Sequence, residues 1–231
     1  MNFYEAWHAT RINEVNDFEY FKEFVNKTEK TIKPLLNGSS DEIIFIVKFL
    51  MSISLDELIT NICKCSISDF TAENVIQFSN FEHAYINLPC LLLNEHRALD
   101  FNEIGSKIMH SKSEIACKKY GENHAKLASE MSFVTLERKG KVLVSLTNFG
   151  IIISSLINED KYKLSLIMLC RNALIRNMII LASNDFVTYE EITKNVLSES
   201  TMLRRKSNVK KVVELILNNS SYSKIKNNIV W

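Results

Sequence analysis

Glycine and proline are scarce in this sequence of 231 residues, at five and two. That scarcity disfavours a turn-rich all-β fold and favours long helices. Cysteine is sparse as well. The five thiols, Cys63, Cys65, Cys90, Cys117 and Cys170, form no Cys-x-x-Cys pair, and no histidine stands where it would complete a zinc site. An odd count without that spacing excludes a disulfide framework and a structural zinc module, so free thiols in a reducing compartment are expected. Long apolar runs are lacking too. The longest, 164–170 and 173–182, is cut by Arg171, Asn172, Arg176 and Asn177, too soon to cross a bilayer. The opening Met1-Asn2-Phe3-Tyr4-Glu5 lacks the basic region and apolar stretch of a signal peptide, so a cytoplasmic location away from the membrane is expected. There is no Gly-rich phosphate loop, no Gly-x-Ser-x-Gly and no His-Glu-x-x-His, and no cofactor is expected. His8, His83, His96 and His110 are scattered and read as packed or surface residues.

What is present suits an ordinary globular chain, 46% hydrophobic and 24% charged, with length enough for two cores. The net charge of +1 hides an asymmetry. Residues 1–104 carry 8 Lys and Arg against 16 Asp and Glu, whereas residues 105–231 carry 20 against 11. A basic half beside an acidic one points to polyanion binding through the former, since phosphate neutralisation releases counterions.

Residues 1–83 read as an acidic helical region suited to dimerisation or a protein partner. Phe18, Phe21, Phe24, Val25, Ile32 and Leu35 fall at near-helical spacing within 16–36. Lys33-Pro34 and Asn37-Gly38 end that helix, and a strongly apolar one follows over 41–53. Ser54 and Glu57 form a capping box opening a helix to about Cys65. A short helix over 71–78 completes the region.

From about Ala84 the pattern changes. A helix over 88–96 has Pro89 in its opening turn. Asp100 caps a second with Glu103 in its first turn. A third runs over 113–131 with a possible break at Gly121. Two alternating strands, 133–136 and 142–146, flank the basic tip Glu137-Arg138-Lys139-Gly140-Lys141, a hairpin signature. Leu146-Thr147-Asn148-Phe149-Gly150 launches a helix to about Ile157. Three helices, a basic-tipped hairpin and a closing helix opened by Leu-Thr-x-x-Gly resemble winged-helix repressors such as the MarR group. A second copy of the plan follows: a long helix over 162–183 with Arg171, Asn172, Arg176 and Asn177 on one polar side, a Thr188–Glu191 capping box with Ile192 and Val196 facing the core, a turn at 198–200, a third helix over 202–217 and a short wing at 222–231. The layout is similar to the DNA-recognition modules of some type IIS restriction endonucleases. The expected architecture is therefore mainly α with small β-hairpin wings: a helical region 1–83 and winged-helix units over 84–158 and 159–231.

The resemblance implies a sequence-specific double-stranded DNA binder, a transcriptional regulator or the recognition component of a restriction or defence system. In such units the third helix enters the major groove and the wing touches a neighbouring backbone. It places Lys112, Ser113, Lys118, Lys119, Tyr120, Asn123, His124 and Lys126 on or near the first reading helix, with Arg138, Lys139 and Lys141 on its wing tip. Asn123 suits adenine and the lysines suit phosphate. In the second unit the candidates are Arg204, Arg205, Lys206, Lys210 and Lys211, with Lys224 and Lys226 on the wing. Two other readings remain open. One is a tandem winged-helix scaffold that binds protein, like accessory subunits of chromosome-organising complexes. The other is a magnesium-dependent nuclease, since Glu137-Arg138-Lys139 and Glu159-Asp160-Lys161 match an Asp/Glu-x-Lys tripeptide. Such tripeptides arise by chance in a chain this charged, no acidic residue reads as buried on a neighbouring strand, and a non-enzymatic protein is expected.

Overall fold

The computed structural model describes residues 29–77, 80–109 and 113–231. The expected helix over 16–36 therefore lies outside them up to Thr28, as do Phe78, His110 and Lys112. The described residues are mainly helical. In chain order the first elements are α1 (Glu29–Asn37), α2 (Ser40–Ser52), α3 (Leu55–Ile62), α4 (Leu88–Glu95), β1 (Leu99–Asp100), α5 (Phe101–Met109), α6 (Glu114–Glu130), β2 (Val134–Lys139) and β3 (Lys141–Leu146). Then come α7 (Asn148–Ser154), α8 (Asn158–Leu169), α9 (Ala173–Asn184), β4 (Val187–Thr188), α10 (Tyr189–Thr193), α11 (Glu199–Asn218), α12 (Ser223–Asn227) and β5 (Ile229–Val230). No single helix among the described residues is long and apolar enough to cross a membrane.

These elements divide into two compact units, each assembled from separated stretches of chain, where the sequence pattern suggests three consecutive segments. A hairpin unit comprises Glu29–Met51 and Asn80–Met168; a C-terminal unit includes the described residues of Ser52–Ser79 and Leu169–Trp231.

In the hairpin unit, α4 is preceded by a π-helical turn, His83–Asn87, and α5 packs against α6 through two glycines. A Cβ on Gly121 would lie 1.9 Å from the Phe101 carbonyl oxygen, and one on Gly105 would lie 1.8 Å from that of Cys117. Gly121 therefore does not break α6, which runs through it; it lets two backbones touch. β2 and β3 pair antiparallel from Val134↔Leu146 to Lys139↔Lys141, and Gly140 turns the tip at φ +73°. β1 pairs with the other edge of β3, Leu99 opposite Val144, giving the strand order β1-β3-β2. Thr147 caps α7, its hydroxyl accepting from Gly150 N at 2.8 Å. Leu92, Leu99, Ile104, Phe133, Val144, Phe149 and Ile153 form the core beneath the sheet, Phe133 and Phe149 with ring centroids 5.7 Å apart.

The chain after α7 departs from expectation at three places. The long helix over 162–183 is two helices, α8 and α9, interrupted at Cys170–Asn172. Asn172 leaves the helical path (φ −69°, ψ 124°), and its side chain caps α9 by accepting from Ile175 N. Arg171, Asn172, Arg176 and Asn177, expected on a polar side, are buried. For Asn172, Arg176 and Asn177 the cause is the segment 66–77, which has only one 3-10 turn, Ala72–Asn74, capped by Thr71 in place of the expected helix over 71–78. Its backbone groups need partners from elsewhere. Asn177 brackets Ser68, accepting from its N–H at 3.0 Å and donating to its carbonyl at 2.7 Å. Arg176 donates to the Ser68 hydroxyl and Asn172 to the Asn74 carbonyl, each at 2.8 Å. Finally, 222–231 is not a wing. It forms α12 and then β5, which pairs parallel with β4. Ile225 and Ile229 are buried, which turns this stretch inward, and no returning strand completes a hairpin.

Candidate nucleic-acid interface

Each unit builds a short capped helix followed by a longer one. In the hairpin unit Asp100 Oδ1 accepts from the backbone N–H groups of Asn102 and Glu103, and Glu103 Oε2 accepts from Asp100 N, all at 2.9 Å. This reciprocal cap satisfies orphan donors at the start of α5. Arg97 donates to Glu103 at 2.8 Å and holds that carboxyl below its ordinary range. Asp100 also takes the ammonium of Lys141 from β3. Burial pushes the Asp100 carboxyl up, but the Lys141 bond and the backbone donors outweigh it and leave it lowered.

Ser113 caps α6 by accepting from Ala116 N at 3.3 Å. Cys117, Gly121, His124, Ala125 and Ala128 face inward. The outward face carries Ile115, 84% exposed, with Lys118, Lys119 and Lys126 exposed and Glu122 half-buried among them. Glu122 takes Lys119 at 3.2 Å and Lys126 at 2.7 Å. Burial raises its carboxyl, yet the two lysines leave it lowered. An open groove of about 530 Å³ runs between this helix and the hairpin, lined by Asp100, Glu114, Lys118, Glu122, Arg138 and Lys141 among others. Arg138 is exposed, and Lys139 occupies the end of β2.

Two of the predicted residues do not join this face. His124 is fully buried, and Tyr120 is half-buried with its hydroxyl bonded to His83 Nδ1 at 2.8 Å. Asn123 is half-buried at the edge of the helix. Lys112 falls outside the described residues.

In the C-terminal unit the Thr188 hydroxyl accepts from Glu191 N at 3.1 Å, and Glu191 accepts from Thr188 N at 3.3 Å. This capping box opens α10, and Val187–Thr188 just before it pairs with β5. Ile192 and Val196 are half-buried. α11 begins after Ser198 and buries Val209, Val212, Val213, Ile216 and Leu217. Its opposite face exposes Ser200, Leu203, Arg204, Ser207 and Lys211. The basic cluster read from the sequence thus divides. Arg205 is an internal tether, donating to the carbonyls of Ala72 at 2.6 Å and Val75 at 3.1 Å, and burial lowers its pKa. Lys206 faces Glu190 at 3.5 Å, and Lys210 faces Glu214 at 3.9 Å and sits 6.0 Å from the Trp231 ring centre. Lys226 donates to Asn218 at 2.7 Å. Lys224 is exposed on α12, not on a hairpin. Arg204 and Lys211 remain outward with no ion pair to a described residue.

The sequence reading omitted Glu122, Ile115, Leu203 and Ser207. The Lys119-Glu122-Lys126 pairing follows from i,i+3 and i,i+4 spacing and was open to inspection in the sequence. No three His, Cys, Asp or Glu side chains gather as a metal site would require among the described residues. Glu137-Arg138-Lys139 lies at the hairpin tip, and Glu159-Asp160-Lys161 in the first turn of α8. No family model, curated protein or solved structure matches this chain.

Proposed function

We propose that this protein binds double-stranded DNA, as a transcriptional regulator or as the recognition component of a restriction or defence system, through two helical units, the first of them carrying a hairpin wing. One observation carries the reading: the same plan occurs twice. A short strand (β1, β4) leads into a reciprocally capped helix (α5, α10), and a longer helix (α6, α11) follows with basic residues on its outward face. In the first copy the strand order β1-β3-β2 adds a hairpin with a basic tip. A helix presented in this way fits the major groove, where side chains read base edges while Lys and Arg meet phosphates. No catalytic step belongs to this reading. The test is titration of a fluorescent mixed-sequence duplex with the full chain, without magnesium, at two salt concentrations. Binding that tightens steeply at the lower salt is expected. Absence of binding at low salt would remove the reading.

A second reading, a scaffold that binds protein, draws on the internal pairing of the hairpin unit. Lys119, Lys126 and Lys141 meet Glu122 and Asp100. A chain that fails the duplex titration but is captured by a defined protein partner would follow this reading.

A further inference from the structure

The two outward faces match position for position. Apart from Glu114 and Glu199, exposed at the first position, the outward residues counted from the caps Ser113 and Ser198 are the second, fifth, sixth, ninth and thirteenth in both helices, all exposed but for the half-buried ninth of α6. At about 100° per residue these five lie within an arc of roughly 100°. On α6 they are Ile115, Lys118, Lys119, Glu122 and Lys126; on α11 they are Ser200, Leu203, Arg204, Ser207 and Lys211. Lys119 thus corresponds to Arg204, Lys126 to Lys211, and Glu122 to Ser207. The central position differs in charge, and the difference is visible in the contacts. Glu122 engages both of its neighbouring lysines, at 3.2 and 2.7 Å. Ser207 engages neither of its own, and Arg204 and Lys211 point outward.

Resting on the DNA reading, we propose that α11 carries the main duplex contact, and that the acid or neutral residue at this shared central position decides which helix does. A lysine already facing a carboxylate must exchange it for a phosphate, and the carboxylate left behind repels that phosphate. On α6 both effects oppose binding, and Asp100 adds the same restraint on Lys141 of the hairpin. Between Ser200 and Lys211 the α11 face bears no acid; Glu214, one turn further on, is occupied by Lys210. Arg204 has the fork that grips guanine or phosphate, Ser200 and Ser207 donate or accept, and Lys211 meets phosphate. Leu203, 57% exposed, is the apolar residue this arrangement sets against a thymine methyl.

Four variants of the full chain test this, each checked by thermal melting for an intact fold. Arg204→Ala with Lys211→Ala is expected to weaken duplex binding at least about tenfold and to reduce the salt slope by about 2. Ser207→Glu, which installs the α6 arrangement on α11, should weaken binding by a similar factor. Lys118→Ala with Arg138→Ala should weaken binding clearly less than the Arg204/Lys211 pair does, and Glu122→Gln should strengthen binding. If wild-type protein binds but the Lys118/Arg138 pair matters as much as the Arg204/Lys211 pair, or if Ser207→Glu binds normally, the assignment to α11 is overturned and the DNA reading survives. If wild-type protein fails to bind at low salt, the DNA reading falls and the assignment with it.

Discussion

His124 shows how one side chain's surroundings set its chemistry. Its Nδ1–H donates to the Tyr120 carbonyl at 2.7 Å, and its ring lies 4.1 Å from that of Tyr120 and 5.3 Å from that of His83. Burial drives its pKa down to about 4, against a smaller upward pull from the backbone bond and a further downward one from His83. In the unfolded chain the same imidazole titrates near 6.5. Between those values the unfolded state binds more protons than the folded state, so stability falls as pH drops through that window. Unfolding by urea at pH 7 and pH 5 should therefore differ by about 2 kcal/mol from this residue alone. A His124→Gln variant should lose that part of the pH dependence. Equal pH dependence in the two proteins would mean that His124 is not held neutral. The sequence reading placed His124 on the DNA face, yet its neighbours already argued otherwise. Cys117, Gly121, Ala125 and Ala128 form a small-residue stripe at helical spacing, and His124 falls on it. Nothing local to Arg205 gave an equivalent signal. Its partners are carbonyls of Ala72 and Val75, more than a hundred positions away in sequence.

At the scale of elements, local chemistry was the most legible part. The caps at Asp100, Thr147 and Thr188, the hairpin with its Gly140 tip and the start of α5 all depend on groups within a few residues of each other. The α8–α9 break was not legible, because Asn172 and Arg176 read as the polar side of a continuous helix until the segment 66–77 supplies their partners. Gly121 was ambiguous for a related reason. A glycine inside a helix is either a break or a contact point, and only the position of α5 decides. Since its Cβ would meet the Phe101 carbonyl at 1.9 Å, Gly121→Ala must push α5 and α6 apart despite the better helix propensity of alanine. Overpacking of this kind costs about 3 kcal/mol, and denaturant unfolding should show a loss of that order. A gain of up to about 1 kcal/mol, as propensity alone predicts, would show that the two backbones do not meet there.

At the scale of the whole molecule, the order of segments along the chain is not the order of cores. The pattern of helices and strands invites division at 158/159, but the C-terminal unit takes α3 and the segment 66–77 from far upstream. That segment is fixed by Asn172, Asn177, Arg205 and Asn208, which donate to or bracket its backbone at Ser68, Ala72, Asn74, Val75 and Gln77, and by Arg176, which donates to the Ser68 hydroxyl. Leu58, Ile59, Ile62 and Val75 supply buried apolar surface to the same unit. Remove these residues, and Arg176 and Asn177, which are almost wholly buried, face solvent or each other without their partners at Ser68. Unpaired buried polar groups cost about 1–3 kcal/mol each, and a domain's total stability is only about 5–15 kcal/mol. A fragment of residues 159–231 is therefore expected to lack a cooperative thermal transition and to exchange its amide protons rapidly, although it contains the whole of α9, α10 and α11. Adding back 52–79 through a flexible linker should restore the transition. A fragment of 159–231 that melts cooperatively by itself would show that the upstream segments decorate this core and do not complete it, and the α11 face would then be testable in isolation.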